Sequence, residues 1–85
     1  MANARHEGTI GAPIGSEDKR VAHYWVETAK EPDKTYGIDG GRILRMRIKI
    51  DGETVLNYDK GWDIEPDEED KLIQIAYSIC MKDYN

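Results

Sequence analysis

Apolar and polar residues alternate most regularly between Arg42 and Ile50. The apolar positions are Leu44, Met46, Ile48 and Ile50, and the positions between them are Arg45, Arg47 and Lys49. A period of two is typical of a strand that turns one face to a core and the other to solvent. We therefore expect a strand here, with a buried apolar face and a cationic outer face.

The dipeptide Asp51-Gly52 predicts a turn into a second strand over residues 53–58. We prefer a hairpin in which Gly52 is a left-handed bulge residue, because this register keeps apolar side chains together. It gives the pairs Lys49 with Glu53, Met46 with Leu56, Leu44 with Tyr58, and Ile43 with Asp59. A two-residue turn, which pairs Ile50 with Glu53, would place Leu56 opposite Arg47 and divide the apolar face.

Two further segments lie before this hairpin. Residues 21–29 are rich in β-branched and aromatic side chains and precede a breaker cluster at residues 31–34, which predicts a strand and a loop. Residues 1–20 contain Pro13 and many small or charged residues. We expect them to form a mobile N-terminal arm, with a short edge strand at residues 7–10.

A helix is predicted towards the C-terminus. Asp67 is the expected N-cap, and the acidic residues after it would complement the helix dipole. Apolar residues then repeat at helical spacing, at Leu72, Ile75, Ala76 and Ile79, with Ile73 and Cys80 beside them. The helix should end near Lys82. We expect an α+β protein in which residues 21–85 form one domain, an antiparallel sheet of three to four strands with one C-terminal helix packed on one face.

The composition of the chain argues against several classes of function and several kinds of site. A chain of 85 residues has a thin core, so a deep catalytic site is not expected. The net charge of −5 argues against sequence-independent binding to duplex DNA. The single cysteine, Cys80, cannot form an intramolecular disulfide, and we expect neither a metal site nor a cofactor. Since residues 1–10 lack the apolar segment of a signal peptide, and no run is long enough to span a bilayer, we expect a cytoplasmic protein without membrane contact.

Two glycine-rich blocks flank the hairpin, at residues 36–42 and 57–62. The preferred register brings them together, with Gly41 opposite Gly61, and their backbone amides could hold an anion. The candidate ligand-binding residues in these blocks are Gly40, Gly41, Arg42, Lys60 and Trp62. The alternative is that the glycines only supply the positive φ angles of a turn and a bulge.

The cationic face of the predicted hairpin is a second candidate site. Its phosphate-binding residues would be Arg45, Arg47 and Lys49. If Trp25 and His23 of the neighbouring strand share this face, aromatic stacking on a base would add to phosphate attraction, which suits a nucleotide or a short single strand. The pattern over residues 21–29 also allows Trp25 to lie in the core. The alternative is an ordinary solvated face with ion pairs from Lys49 to Glu53 and diagonally from Arg45 to Asp59.

Acidic residues at the expected helix start form a third candidate. Glu68 and Glu69, with Trp62 as an aromatic anchor, could dock a basic partner protein. Helix-start chemistry alone would also explain the acidic residues, and Trp62 could instead cap the core. We identify no catalytic residue and do not expect an enzyme, because no nucleophile motif is present and Cys80 lies on the apolar side of the helix.

The blocks YGIDGGRI (residues 36–43) and NYDKGWD (residues 57–63) are similar to those of a family of small domains carried on phages and conjugative elements of Gram-positive, often gut-dwelling bacteria. The resemblance spans roughly residues 8–81. That family carries no assigned activity, so the resemblance implies no role for any residue. It implies a genomic context and, through it, a class of function, since small acidic proteins of mobile elements are frequently accessory proteins that disable host defences.

Three functional hypotheses follow. The first is a non-enzymatic counter-defence protein that sequesters a nucleotide-derived immune signal, as a homo-oligomer because a thin domain would bury a small ligand best between subunits. The second is a protein–protein inhibitor of a host defence nuclease, of the anti-CRISPR type. The third is an accessory structural or regulatory module of the mobile element.

Overall fold

The structure is a computed structural model that describes residues 3–12 and 15–85. Within these ranges five antiparallel strands form one sheet in the order β1-β2-β3-β4-β5, so each strand pairs with its neighbours in sequence. They are β1 (Ala4–Gly11), β2 (Val21–Thr28), β3 (Ile43–Ile50), β4 (Glu53–Asp59) and β5 (Trp62–Ile64). The helix α1 (Lys71–Tyr84) packs mainly against β2 and β3 on one face of the sheet. The predicted α+β class and the position of the helix are confirmed.

The described sheet has five strands where three to four were predicted. β1 has eight residues, all paired with β2, where four residues of edge strand were expected. β5 was not predicted because its three residues are too few to show a period. It follows a tight turn in which Lys60 adopts a φ of 55°. Pro13 of the predicted mobile arm lies outside the described residues, as do residues 1–2 and 14.

The predicted hairpin register is wrong. Asp51 and Gly52 have φ angles of 53° and 78°, which makes a two-residue turn of type I′. The extra residue that keeps the apolar side chains in phase is Val55, a bulge inside β4. The observed pairs are Ile50 with Glu53, Lys49 with Thr54, Ile48 with Leu56, Met46 with Tyr58 and Arg45 with Asp59. The expected pairings of Ile43 with Asp59 and of Gly41 with Gly61 therefore do not form, and Ile43 pairs with Thr28 of β2.

The predicted start of the helix is also displaced. The N-cap is Asp70, whose side chain accepts hydrogen bonds from the amides of Leu72 and Ile73. Asp67 instead holds the preceding turn by accepting a hydrogen bond from the Glu69 amide at 2.9 Å. The acidic run therefore precedes the helix and does not occupy its first turn.

The core lies between α1 and the facing side of the sheet. Its fully buried side chains include Ala22, Ile43, Ile48, Leu56, Ala76 and Cys80. Burial raises the pKa of the Cys80 thiol to about 12, so this cysteine is a neutral part of the core. No helix in the described ranges has the length and apolarity needed to cross a bilayer.

Candidate functional site

The face of the sheet opposite α1, called the open face below, carries the predicted cationic stripe. Residues paired directly across an antiparallel ladder point to the same side of the sheet. Trp25 pairs with Arg47, and His23 pairs with Lys49, so both aromatic residues lie on the cationic face. The ambiguity over Trp25 is thereby resolved, since the opposite parity of β2 places Ala22 and Val26 in the core.

One row across the open face is internally neutralised. This ion-pair row crosses four strands and consists of Arg5, Glu27, Arg45 and Asp59. Arg45 Nε donates a hydrogen bond to Asp59 Oδ1 at 2.8 Å, which raises the pKa of the guanidinium. The Glu27 carboxylate lies 3.8 Å from Arg45 Nη1 and 3.4 Å from Arg5 Nε. The predicted pairing of Arg45 with Asp59 exists, directly across the strands and not diagonally.

Arg47 and Lys49 differ from Arg45 in their surroundings. Neither cation forms an ion pair within the described residues, and the register gives Lys49 the partner Thr54 where Glu53 had been expected. On β1 to β5 the open face carries four cations and four carboxylates, one of them Asp63, whose carboxylate accepts a hydrogen bond from Asn57 at 3.0 Å. Arg5 and Arg45 are paired with carboxylates, so Arg47 and Lys49 are the cations of this face that have no ion-pair partner among the described residues.

The aromatic residues of β2 form a stacked pair beside these cations. The His23 and Trp25 rings are 4.0 Å apart between centroids, with 19° between their planes. His23 Nε2 also lies 2.8 Å from Glu7 Oε1 of β1. This contact holds the imidazole against one face of the indole and leaves the other face of the indole uncovered by His23.

A shallow groove of about 520 Å³ lies next to the indole on the open face. Its charged and aromatic lining includes Arg5, Trp25, Glu27, Arg45, Arg47 and Asp59. This volume is within the range of sites that hold drug-sized ligands. The groove therefore combines an aromatic surface, an uncompensated guanidinium at Arg47 and several carboxylate acceptors.

The first glycine block is occupied by its own hydrogen bonds. The Gly40 amide donates to the Gly37 carbonyl at 3.0 Å, and the Gly41 amide donates to the Ile38 carbonyl at 2.8 Å. Gly40 has a φ of 73°, as a turn requires. The Asn85 side chain packs where a side chain at Gly41 would lie. The amides that an anion would need are thus used within the loop, which favours turn geometry as the reason for these glycines.

The two glycine blocks do meet, but through their tyrosines. The Tyr58 hydroxyl donates a hydrogen bond to the Tyr36 carbonyl at 2.7 Å. Lys60 Nζ lies 5.6 Å from the centroid of the Tyr36 ring, a cation–π contact. Trp62 packs edge-on against Tyr58 and Tyr77, on the helix side of the sheet. Lys60 and Trp62 are therefore not part of the open face.

The remaining predicted residues are dispersed. Arg42 Nε donates to the Ala29 carbonyl at 3.1 Å, in the backbone between β2 and β3. Glu68 and Glu69 are exposed in the segment before α1. The structure therefore brings together Trp25, Arg45 and Arg47 and leaves the other candidates elsewhere.

Sequence reasoning missed the part of the open face that β1 supplies. Glu7 contacts His23, and Arg5 ends the ion-pair row. Polar residues at positions 5, 7 and 9 alternate with residues that face α1. Glu7 and Thr9 lay within the edge strand predicted at residues 7–10 but were given no role, and a strand begun at Ala4 would have added Arg5. Within the described residues, no group of three or more His, Cys, Asp or Glu side chains is arranged to bind a metal ion.

A family model with the description Domain of unknown function (DUF7678) matches residues 4–85. No curated protein and no solved structure matches the chain.

Proposed function

The chain belongs to the DUF7678 family, a domain of unknown function, and we propose that it is a non-enzymatic binding protein whose open face holds a nucleotide-derived ligand. The observation that carries the proposal is the direct pairing of Trp25 with Arg47 beside the groove. An indole offers a surface on which any base can stack, and a guanidinium binds phosphate with charge-assisted hydrogen bonds. A nucleotide is the simplest ligand that uses both.

The ion-pair row would serve to orient this ligand. Glu27, Arg45 and Asp59 hold one another in position at the side of the groove. The carboxylates of Glu27 and Asp59 can accept hydrogen bonds from exocyclic amino groups of a base, while the phosphate is attracted to Arg47. A ligand with a base at one end and a phosphate at the other would satisfy both parts of the groove.

We place this binding activity in counter-defence, as sequestration of a nucleotide-derived immune signal by a protein of a phage or conjugative element. The support for this role is the resemblance of the two glycine blocks to those of mobile-element proteins. Binding without turnover is sufficient for it, because a signal held on the protein cannot reach its receptor.

Calorimetric titration with a panel of linear and cyclic nucleotides tests the binding proposal. We expect heat with at least one nucleotide, and weaker binding by Trp25→Ala and Arg47→Gln. Lys82→Gln is the matched control, since it removes the same charge from an exposed position on α1. Absence of heat with every nucleotide, or an equal loss of nucleotide affinity in all three variants, would refute the proposal.

Inhibition of a host defence nuclease is a second candidate, favoured by the exposed position of Glu68 and Glu69 outside the helix. These carboxylates are available to a basic groove on a partner protein. Reversal of both charges to lysine should abolish pull-down of a nuclease that the native protein captures, and unchanged capture would exclude this surface.

A further inference from the structure

Two consecutive aromatic–cation pairs lie side by side on the open face. Trp25 is paired with Arg47, and His23 is paired with Lys49 in the next position of the same face. Resting on the proposed nucleotide-binding function, we infer that the ligand of this face is a short single strand of nucleic acid that places two successive phosphates on Arg47 and Lys49.

The spacing of the pairs supports this inference. Arg47 and Lys49 are two residues apart on β3, which separates their Cα atoms by about 6.6–6.8 Å along the strand. Side chains directly opposite each other on neighbouring strands lie close enough to contact one ligand. The face therefore repeats a cation along the strand direction, as a single strand repeats a phosphate, while the stacked His23–Trp25 pair offers one ring surface to a base.

The groove covers only the first of the two aromatic–cation pairs. Its lining includes Trp25 and Arg47 and ends before His23 and Lys49. One base can stack on the face of the Trp25 indole that His23 leaves uncovered. A lone nucleotide would satisfy the groove but leave Lys49 without a partner, whereas a chain continuing out of the groove reaches both cations.

The charges of the protein limit how many phosphates of a single strand it can contact. Arg5 and Arg45 are engaged with carboxylates in the ion-pair row. Two uncompensated cations on a protein with a net charge of −5 favour a local contact with few phosphates. A long polyanion would instead be repelled by the rest of the surface.

Fluorescence titration in a Trp62→Phe background tests the inference, because it leaves Trp25 as the sole tryptophan of the two in the chain. The ligands are uridine monophosphate, a cyclic dinucleotide, and uridine and thymidine tetranucleotides. Comparison of the two tetranucleotides shows whether the protein prefers RNA or DNA. The tetranucleotide should bind at least about tenfold more tightly than the monophosphate, the value of one further charge-assisted contact. A plot of log affinity against log salt concentration should have a slope of about −1.4, from two phosphate contacts.

Variants assign the contacts. Arg47→Gln and Lys49→Gln should each reduce the magnitude of the slope to about 0.7, while Lys82→Gln leaves it unchanged. Trp25→Ala, measured by calorimetry, should weaken tetranucleotide binding about 5- to 150-fold. Circular dichroism spectra establish that each variant is folded.

The outcomes separate this inference from the proposed function. If the monophosphate or the cyclic dinucleotide binds as tightly as the tetranucleotides, or if Lys49→Gln has no effect on the slope, the single-strand inference is overturned and nucleotide binding stands. If no ligand binds, both are overturned.

Discussion

Asp70 joins the helix to the loop before β2, and its replacement should measure how much this junction stabilises the fold. Its Oδ1 accepts the amide hydrogen bonds of Leu72 and Ile73 at 3.1 and 3.3 Å. Arg20 donates to both carboxylate oxygens at 2.9 Å, and also binds Asp18. One carboxylate therefore caps the helix and anchors a segment 50 residues away in sequence.

The two roles can be separated by choice of substitution. Asp70→Ala removes the cap and the ion pair, and loss of a cap costs about 1 kcal/mol. Asp70→Asn keeps a capping oxygen of similar strength and loses only the charge. The Asp70 side chain is 20% exposed, so we expect Asp70→Asn to cost less than about 1 kcal/mol and Asp70→Ala about 1–2 kcal/mol.

Thermal unfolding followed by circular dichroism measures these costs, with about 4–8 °C of Tm for each kcal/mol in a domain of this size. Glu69→Gln is the control, since it removes a carboxylate from an exposed neighbouring position and should change little. Equal destabilisation by Asp70→Asn and Asp70→Ala would refute the capping role. An effect of Asp70→Asn that persists unchanged when Arg20 is replaced by Gln would refute the ion pair.

The pH dependence follows from the same contacts. The hydrogen bonds from Arg20 lower the pKa of Asp70, and they lower the pKa of Asp18 to about 2. In the unfolded chain both carboxyls titrate near 3.9. A group with a lowered folded-state pKa stabilises the fold above its unfolded pKa, so this contribution is present above about pH 4 and is lost as the pH falls towards 2. Asp70→Asn should flatten the dependence of Tm on pH in this window, and an unaltered profile would contradict the assignment.

Three further substitutions or reactions test buried contacts. Gly8→Ala should destabilise the fold by about 1–3 kcal/mol and so lower the Tm, because the added Cβ would lie 2.5 Å from the Tyr24 hydroxyl oxygen. Gly11→Ala on the same strand meets no atom within 4 Å and should leave the Tm unchanged; equal Tm values for the two variants would contradict this. Cys80 should resist iodoacetamide in the native protein and react in denaturant, as followed by mass spectrometry; rapid native labelling would show that the thiol is accessible. Asn85→Ala should lower the urea midpoint, because the side chain accepts a hydrogen bond from the Ile43 amide of β3 and donates one to the Ile38 carbonyl. An unchanged midpoint would show that these bonds are not stabilising.

The regular part of the fold was predictable because its patterns are local. The alternation from Leu44 to Ile50 predicted β3 and its cationic side, and the helical repeat predicted α1. The face occupied by Trp25 was not predictable in this way, because both faces of β2 mix apolar and polar side chains. Only the pairing with β3 decides that Ala22 and Val26 are buried.

The errors arose where a choice depends on distant partners. The Val55 bulge carries no glycine or other turn residue to announce it, so the extra residue was placed at Gly52. Asp67 and Asp70 are equally good caps as residue types. The contact of Arg20 with Asp70 joins two segments far apart in sequence, and local reasoning cannot see it.

The open face is separate from the packing of the protein. The buried cluster takes its sheet residues from the side that α1 covers, and Trp25, Arg45 and Arg47 are not among them. Substitutions at such positions should leave the Tm nearly unchanged, since they create no cavity. The protein is thereby suited to directed evolution: a library randomised on this face could be selected for new ligands while the helix and the opposite side of the sheet are retained.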